Sequence, residues 1–236
     1  MSERGKPTGY SVYGETWVFE CIVGAIPGVD ISDRAALLVQ FFLFEAFIVA
    51  IAATYDRWGA VLPGTAAILV ATAGSAFMLD IGNRIRSVTV PRTYRQLLFS
   101  TSLEVVFGVV GYAAVLTILF VYQPRHGPTL LESVLGPQVP LVAAFLFFLI
   151  LWDIAYRIGT GWWIALLAIW RAFELDPDAA VADELRAIDY RAAVFALLQL
   201  TLLPFVWDYR LLATGLVGHV LALLVLLVGA RLKTGR

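Results

Sequence analysis

The segment that most constrains the fold is residues 139–173, a run of apolar side chains with two charged residues, Asp153 and Arg157, near its middle. A helix that crosses the ~30 Å hydrocarbon core of a bilayer needs about 20 predominantly apolar residues. At ~1.5 Å per residue, Asp153 lies roughly 20 Å into a helix that begins at residue 139, which is still inside that core. The run therefore predicts a membrane-spanning helix whose charged residues need partners.

The composition of the whole chain agrees with a membrane location. Of its 236 residues, 60% are apolar and the net charge is −1, whereas soluble domains are roughly 45–50% apolar. The net charge gives no general attraction for nucleic acid, which is not an expected partner. Cys21 is the only cysteine, so neither an internal disulfide nor a cysteine metal site is predicted. No cofactor is predicted either.

The hydropathy pattern predicts an all-α integral membrane protein, a bundle of six transmembrane helices preceded by an N-terminal amphipathic helix. Residues 1–33 form the predicted tail and interfacial helix, and residues 34–231 form the bundle. Residues 14–26 fit either a helix in the headgroup layer or one packed against the inner end of the bundle. A cytoplasmic helix is predicted at 176–190, in the fourth loop of the bundle. The predicted spans cover about 34–54, 60–79, 102–122, 139–158, 192–206 and 211–230.

The fourth span leaves one boundary open, because Gly159 and Gly161 permit a break or a kink. Residues 162–173 then either continue the span at an angle or lie in the interface. Dividing the run into two spans gives a seven-span alternative, which ranks second because it places the basic C-terminal tail outside. With six spans, both termini and the arginine-rich loop at 83–96 are cytoplasmic, as the positive-inside rule favours. The predicted location is the plasma (cytoplasmic) membrane.

Two pairs of charged residues share one sequence pattern. Asp80 precedes Arg84, and Asp153 precedes Arg157, each within Asp-Ile-x-x-Arg-Ile. An acid four residues before a base is the favourable orientation for a contact on one helix face. Each pair is interpreted either as structural, with two charges that neutralise each other, or as functional, lining a polar cavity or binding a lipid headgroup. The structural interpretation is favoured for both.

Three further ionisable residues are candidates for function. Glu45 in the first span and His219 in the sixth are both predicted near mid-bilayer. They are either hydrogen-bonded separately within the bundle or form a proton-responsive pair. Glu104, near the inner end of the third span, could join an arginine of the preceding loop.

The sequence carries none of three common catalytic signatures: no His-Glu-x-x-His pair, no Gly-x-Ser-x-Gly elbow and no glycine-rich phosphate loop. No catalytic residue is therefore predicted, and an enzyme of unfamiliar type ranks last. The leading hypothesis is a small transporter or channel-like protein whose intramembrane ionisable residues guide ions or protons. The alternative is a non-catalytic membrane subunit or scaffold that binds a partner through the arginine loop and the acidic helix. Expected partners are membrane lipid and, as open alternatives, a second copy of the chain or another protein.

Overall fold

The computed structural model describes Trp17 and residues 31–234, and no strand occurs among them. In this part of the chain six helical segments are long and apolar enough to cross a membrane, which confirms the predicted all-α class and the number of spans. They are Asp33–Tyr55, Trp58–Ser87, Arg92–Arg125, Leu141–Glu174, Ala179–Val206 and Arg210–Lys233.

Nine α-helices build these spans and their connections in the described residues. Three spans contain turns of other helix types: a 3-10 turn before α2, a π-helical turn (Ile118–Tyr122) and a 3-10 turn (Gln123–Arg125) after α4, and a 3-10 turn between α7 and α8. The helices are α1 (Asp33–Tyr55), α2 (Val61–Ser87), α3 (Arg92–Ser100), α4 (Leu103–Thr117), α5 (Leu130–Leu135), α6 (Leu141–Glu174), α7 (Ala179–Gln199), α8 (Leu203–Val206) and α9 (Arg210–Thr234).

Helix α6 lies at the centre of the bundle. It packs against α2, α4, α7 and α9, while α1 packs mainly against α2. The outer surfaces of the bundle are apolar and open, as at Phe42 on α1, Leu62 on α2 and Leu141 at the start of α6, the last of which is 85% exposed. An apolar exterior of this extent is suited to lipid rather than water.

The two ends of the bundle differ in character. We call one the arginine end, where α2 ends, α3 begins, α6 ends and α7 begins. The opposite end, called the loop end, contains α5 and the turn before α9.

Local signals set the boundaries of α1. The Ser32 side chain caps its start by accepting a hydrogen bond from the backbone N–H of Ala35 at 3.3 Å, and Asp56, with φ of 53°, ends it.

Helix α6 runs without a break through Gly159 and Gly161 to Glu174. The interfacial alternative for residues 162–173 and the seven-span alternative are therefore wrong. Gly159 does not bend the helix but allows α6 to pack closely against α4. A Cβ at this position would stand 2.8 Å from the Cα of Gly108 on α4. Glycine lets the two backbones approach each other, as small residues do in membrane helix pairs.

The sequence separates a polar helix at 176–190 from a fifth span that starts at 192, but the structure has one helix, α7, across both. The polar residues of its first half pair with other helices, as Glu184 and Asp189 do with arginines. A change in polarity therefore marks a change of surroundings and not an end of the backbone helix. The arginine loop is also more ordered than expected, since α2 continues to Ser87 and α3 begins directly after Pro91.

The predicted amphipathic helix at 14–26 lies outside the described residues except for Trp17. The Trp17 side chain is buried, and its indole N–H donates a hydrogen bond to the Leu98 carbonyl on α3 at 3.1 Å. Its ring also meets Phe99 edge to face, with centroids 4.9 Å apart. Trp17 therefore packs on the bundle at the arginine end.

Candidate functional site

The Asp153–Arg157 pair forms a closed contact inside the bundle. Arg157 Nε donates to one carboxylate oxygen of Asp153 at 3.1 Å, and Nη2 donates to the other at 2.6 Å. The remaining guanidinium nitrogen, Nη1, donates to the Met78 sulfur at 3.3 Å. A Cβ at Gly74 would collide with the Arg157 side chain, so this glycine on α2 provides the space the arginine fills. The two charges thus neutralise each other within α6.

The second pair, Asp80 with Arg84, is part of a wider network at the arginine end. Arg84 Nε donates to Asp80 at 3.2 Å, and its Nη1 donates to Glu184 on α7 at 3.0 Å. Arg191 on α7 also donates to Asp80. The network therefore joins α2 to α7 through four charged side chains, two from each helix.

A third charged cluster was not among the sequence candidates. Arg171 is buried near the end of α6 and pairs with Asp189 on α7. It also donates to the Tyr94 hydroxyl on α3 and to the Leu185 carbonyl, each at 3.3 Å. The available signal was its spacing, since Arg171 follows Arg157 by 14 residues, about four helical turns, on the same face of one helix.

Glu104 does not join an arginine of the preceding loop, so that expectation is wrong. Its side chain is fully buried, and neither carboxylate oxygen has a hydrogen-bond partner among the described residues. The nearby arginines are used elsewhere: Arg84 pairs with α7, and Arg95 donates to the carbonyls of Ile85 and Val88. Glu104 lies one turn before Gly108, at the close crossing of α4 with α6, whereas Arg84 and Arg95 bond to groups on α7 and at the end of α2.

Glu45 and His219 are not bonded to each other. The Thr65 hydroxyl donates to one Glu45 oxygen at 2.8 Å. The other oxygen and both ring nitrogens of His219 are buried without a partner in the described part of the chain. The hypothesis of a direct pair is wrong because α1 packs mainly against α2, whereas α9 packs against α6 and α7. Gln199 also has a buried side-chain oxygen without a hydrogen-bond partner among the described residues.

Two cavities lie at opposite ends of the bundle. One of about 260 Å³ at the arginine end is bounded by the ends of α6 and α9 and the start of α7, and is lined by Arg171, Asp189 and Lys233 among others. One of about 380 Å³ at the loop end lies between the π-helical turn and the turn before α9. Within the described residues, no group of three or more His, Cys, Asp or Glu side chains could hold a metal ion.

The six spans, the apolar exterior and the ion pairs enclosed between helices define a multi-pass α-helical membrane protein. The chain belongs to a family of unknown function (DUF7530), whose family model matches residues 12–230. No curated protein and no solved structure matches the chain.

Proposed function

We propose that the protein is a small transporter or channel-like protein that moves protons or small ions across the membrane. The observation that carries this proposal is Glu104, a fully buried carboxyl group without a partner among the described residues. Buried polar groups normally have hydrogen-bond partners, so one that lacks them needs an explanation. An ionisable residue of this kind within a membrane span is a candidate for an ion or proton pathway. His219 adds a second such group on α9.

The alternative, a scaffold that binds a partner through the arginine loop and the acidic helix, has less support. Those two surfaces contact each other: Arg84 of the loop pairs with Glu184 of the acidic helix, and Arg191 and Asp80 pair just beyond them. A partner that used them would have to break these contacts first. The scaffold hypothesis would need a different surface.

The Asp153–Arg157 pair has a structural role in this proposal. Both charges are compensated at mid-helix, and Met78 and Gly74 enclose the guanidinium. Moving an ion through this pair would require separating two charges in a medium of low dielectric constant, which is costly. The ionisable groups without partners are therefore the better candidates for the pathway.

The test is proton flux into vesicles that contain the purified protein and an enclosed pH-sensitive dye. We expect Glu104→Gln to reduce the flux at least tenfold, and His219→Gln to reduce it as well. Glu174→Gln is the matched control, because Glu174 is an exposed glutamate at the end of α6. Monovalent-cation gradients are measured in parallel. Flux no greater than in empty vesicles, or equal flux in the Glu104 variant and the wild type, would contradict the proposal.

We further propose that the protein lies in the plasma membrane with both termini and the arginine end in the cytoplasm. In a Cys21→Ser background, an impermeant thiol reagent should label single cysteines that replace Arg57 or Arg125 at the loop end. A cysteine that replaces Arg92 should stay unlabelled in intact cells. Labelling of position 92 from outside would reverse the orientation.

A further inference from the structure

The cavity at the loop end contains polar groups that the proposed function does not use. Its volume is about 380 Å³, and Ile118, Leu211 and Leu212 give it an apolar wall. One side is the π-helical turn that interrupts the third span, Ile118–Tyr122. Such turns are rare and occur frequently at functional sites. An irregular backbone segment and an open cavity therefore lie side by side at the end of the third span.

Gln123 places an oriented hydrogen-bond donor at this cavity. The residue is only 5% exposed, and its side-chain oxygen accepts a hydrogen bond from the backbone N–H of Leu130 at 2.8 Å. Because a backbone N–H must donate to an oxygen, this hydrogen bond distinguishes the oxygen of the Gln123 amide from its nitrogen. The amide nitrogen is buried and has no partner in the described part of the chain. It is an unpartnered donor on a residue of the cavity lining.

His126 places an acceptor at the same cavity. Its ring stacks on Tyr122, with centroids 4.0 Å apart, and its Nδ1 lies 2.7 Å from the Tyr122 carbonyl oxygen. A carbonyl oxygen only accepts hydrogen bonds, so Nδ1 must carry the proton. In the neutral ring, Nε2 is then an acceptor suited to an ammonium or hydroxyl group.

Two opposite charges, Asp208 and Arg210, also line the cavity, on either side of Tyr209. The Tyr209 hydroxyl is hydrogen-bonded to the Ser133 hydroxyl and lies 3.2 Å from the Thr129 carbonyl oxygen, which anchors this turn to α5. Among residues 31–234, neither charge has an ion-pair partner, and they do not pair with each other. In that part of the chain, the cavity lining therefore includes one anionic and one cationic side chain that have no ion-pair partner and are both exposed.

We propose that this cavity binds a small zwitterion that carries a carboxylate and an ammonium group. Arg210 and the amide nitrogen of Gln123 bind the carboxylate, and Asp208 and His126 bind the ammonium. A simple anion would face the Asp208 carboxylate, and a simple cation would face Arg210, so a ligand that carries both charges complements the lining better than either. The apolar wall accommodates a short hydrocarbon body. Binding at this site does not depend on ion movement through the bundle.

Isothermal titration calorimetry of the purified protein in lipid nanodiscs tests the proposal with matched compounds. L-leucine and 6-aminohexanoate carry both charges, at short and long separation. The compounds 4-methylpentanoate and isoamylamine each carry one. We expect at least one zwitterion to bind, and each single-charge compound to bind at least tenfold more weakly. Asp208→Asn and Arg210→Gln should each weaken zwitterion binding at least tenfold.

Matched controls are Asp56→Asn and Arg125→Gln, which change the same residue types at the loop end but outside the cavity lining. They should leave binding unchanged. Absence of binding by every compound, equal binding of a single-charge compound, or equal weakening by the controls would overturn the proposal. Because no flux is measured, a failure here is distinct from a failure of the Glu104 experiment.

Discussion

The two Asp-Ile-x-x-Arg-Ile segments, 80–85 on α2 and 153–158 on α6, have the same local pattern but different surroundings. On α6 the pair is closed: both charged groups are compensated within one helix, and the side chains of Arg157 and Asp153 are 0% and 11% exposed. On α2 the pair is open: Asp80 is shared with Arg191, Arg84 is shared with Glu184, and the Arg84 and Asp80 side chains are 32% and 44% exposed.

This difference shows which property of an ion pair the local sequence determines and which property it does not. The four-residue spacing brings acid and base together in both segments, because residues four apart lie on one helix face. Burial then decides the energy, since the same Coulomb attraction is strong in a medium of low dielectric constant and weak near water. The α6 pair should therefore be critical to folding, and the α2 pair should act as one exposed link among several.

The largest expected effect is that of breaking the closed pair. Asp153→Ala leaves Arg157 buried without its partner, which should destabilise the protein by about 3–5 kcal/mol. The double variant, with Arg157→Ala, should be less damaged than either single variant, although it also creates a cavity. Denaturant unfolding in detergent and the yield of extracted protein measure this order. Equal damage in the single and double variants would show that the two residues do not act as a pair.

The next effect comes from the space that the closed pair occupies. Gly74→Ala adds a methyl group that would overlap Arg157 and stand 2.8 Å from a ring carbon of Phe195. Overpacking of this kind typically costs about 1–3 kcal/mol. Gly64→Ala is the control on the same helix, because the three atoms nearest to its methyl group all belong to Ile48, and the closest, at 2.7 Å, is the movable terminal Cδ1 of that side chain. Equal loss in thermal unfolding for the two variants would argue against a tight enclosure of Arg157.

A smaller effect is expected at the open pair. Asp80→Asn removes the carboxylate that Arg84 and Arg191 share. Exposed ion pairs contribute about 0–1 kcal/mol each, so the loss should be near 1 kcal/mol or below. It should shrink further in high salt, which screens exposed charges. Unfolding measured at low and at high salt checks both points. A loss of stability that is large, or that does not change with salt, would show that the α2 pair stabilises the fold as strongly as the α6 pair does.

The smallest effect concerns Glu132, an exposed carboxyl group that has no arginine partner in the described structure. The backbone N–H and the hydroxyl of Thr129 donate to it at 2.7 and 3.0 Å, and these bonds lower the pKa of Glu132. A lowered pKa means that the ionised form stabilises the fold above the ordinary pKa of a glutamate. That contribution is lost as the pH falls through the lower, folded-state value.

Amide hydrogen exchange of α5 tests this pH dependence. Protection should decrease as the pH is lowered through that range in the wild type. In Glu132→Gln, which cannot ionise, protection should change less with pH once exchange rates are corrected for their intrinsic pH dependence. Identical pH profiles for the two proteins would show that the Glu132 carboxylate does not stabilise the α5 cap.

Local patterns in the sequence predict six spans and two charged pairs because hydropathy and helix periodicity depend on nearby residues. The contacts that were missed join distant segments, such as Arg171 with Asp189 and Arg191 with Asp80. These contacts depend on how each helix is rotated and packed, which a single sequence does not specify. Gly159 shows the same limit, since glycine suits both a bend and a close helix crossing, and only the neighbour on α4 distinguishes them.

Helix α6 also has a consequence for the match between the protein and its bilayer. Its 34 residues form one uninterrupted helix, roughly 51 Å long at 1.5 Å per residue. That exceeds the ~30 Å hydrocarbon core and also the ~40–45 Å bilayer with its headgroups. Changes in membrane thickness or tilt can therefore shift the lipid–water boundary along α6 without leaving an end of the helix in the hydrocarbon. The central helix is thus tolerant of hydrophobic mismatch, and the contacts near Arg171 are the ones whose surroundings would change with membrane thickness.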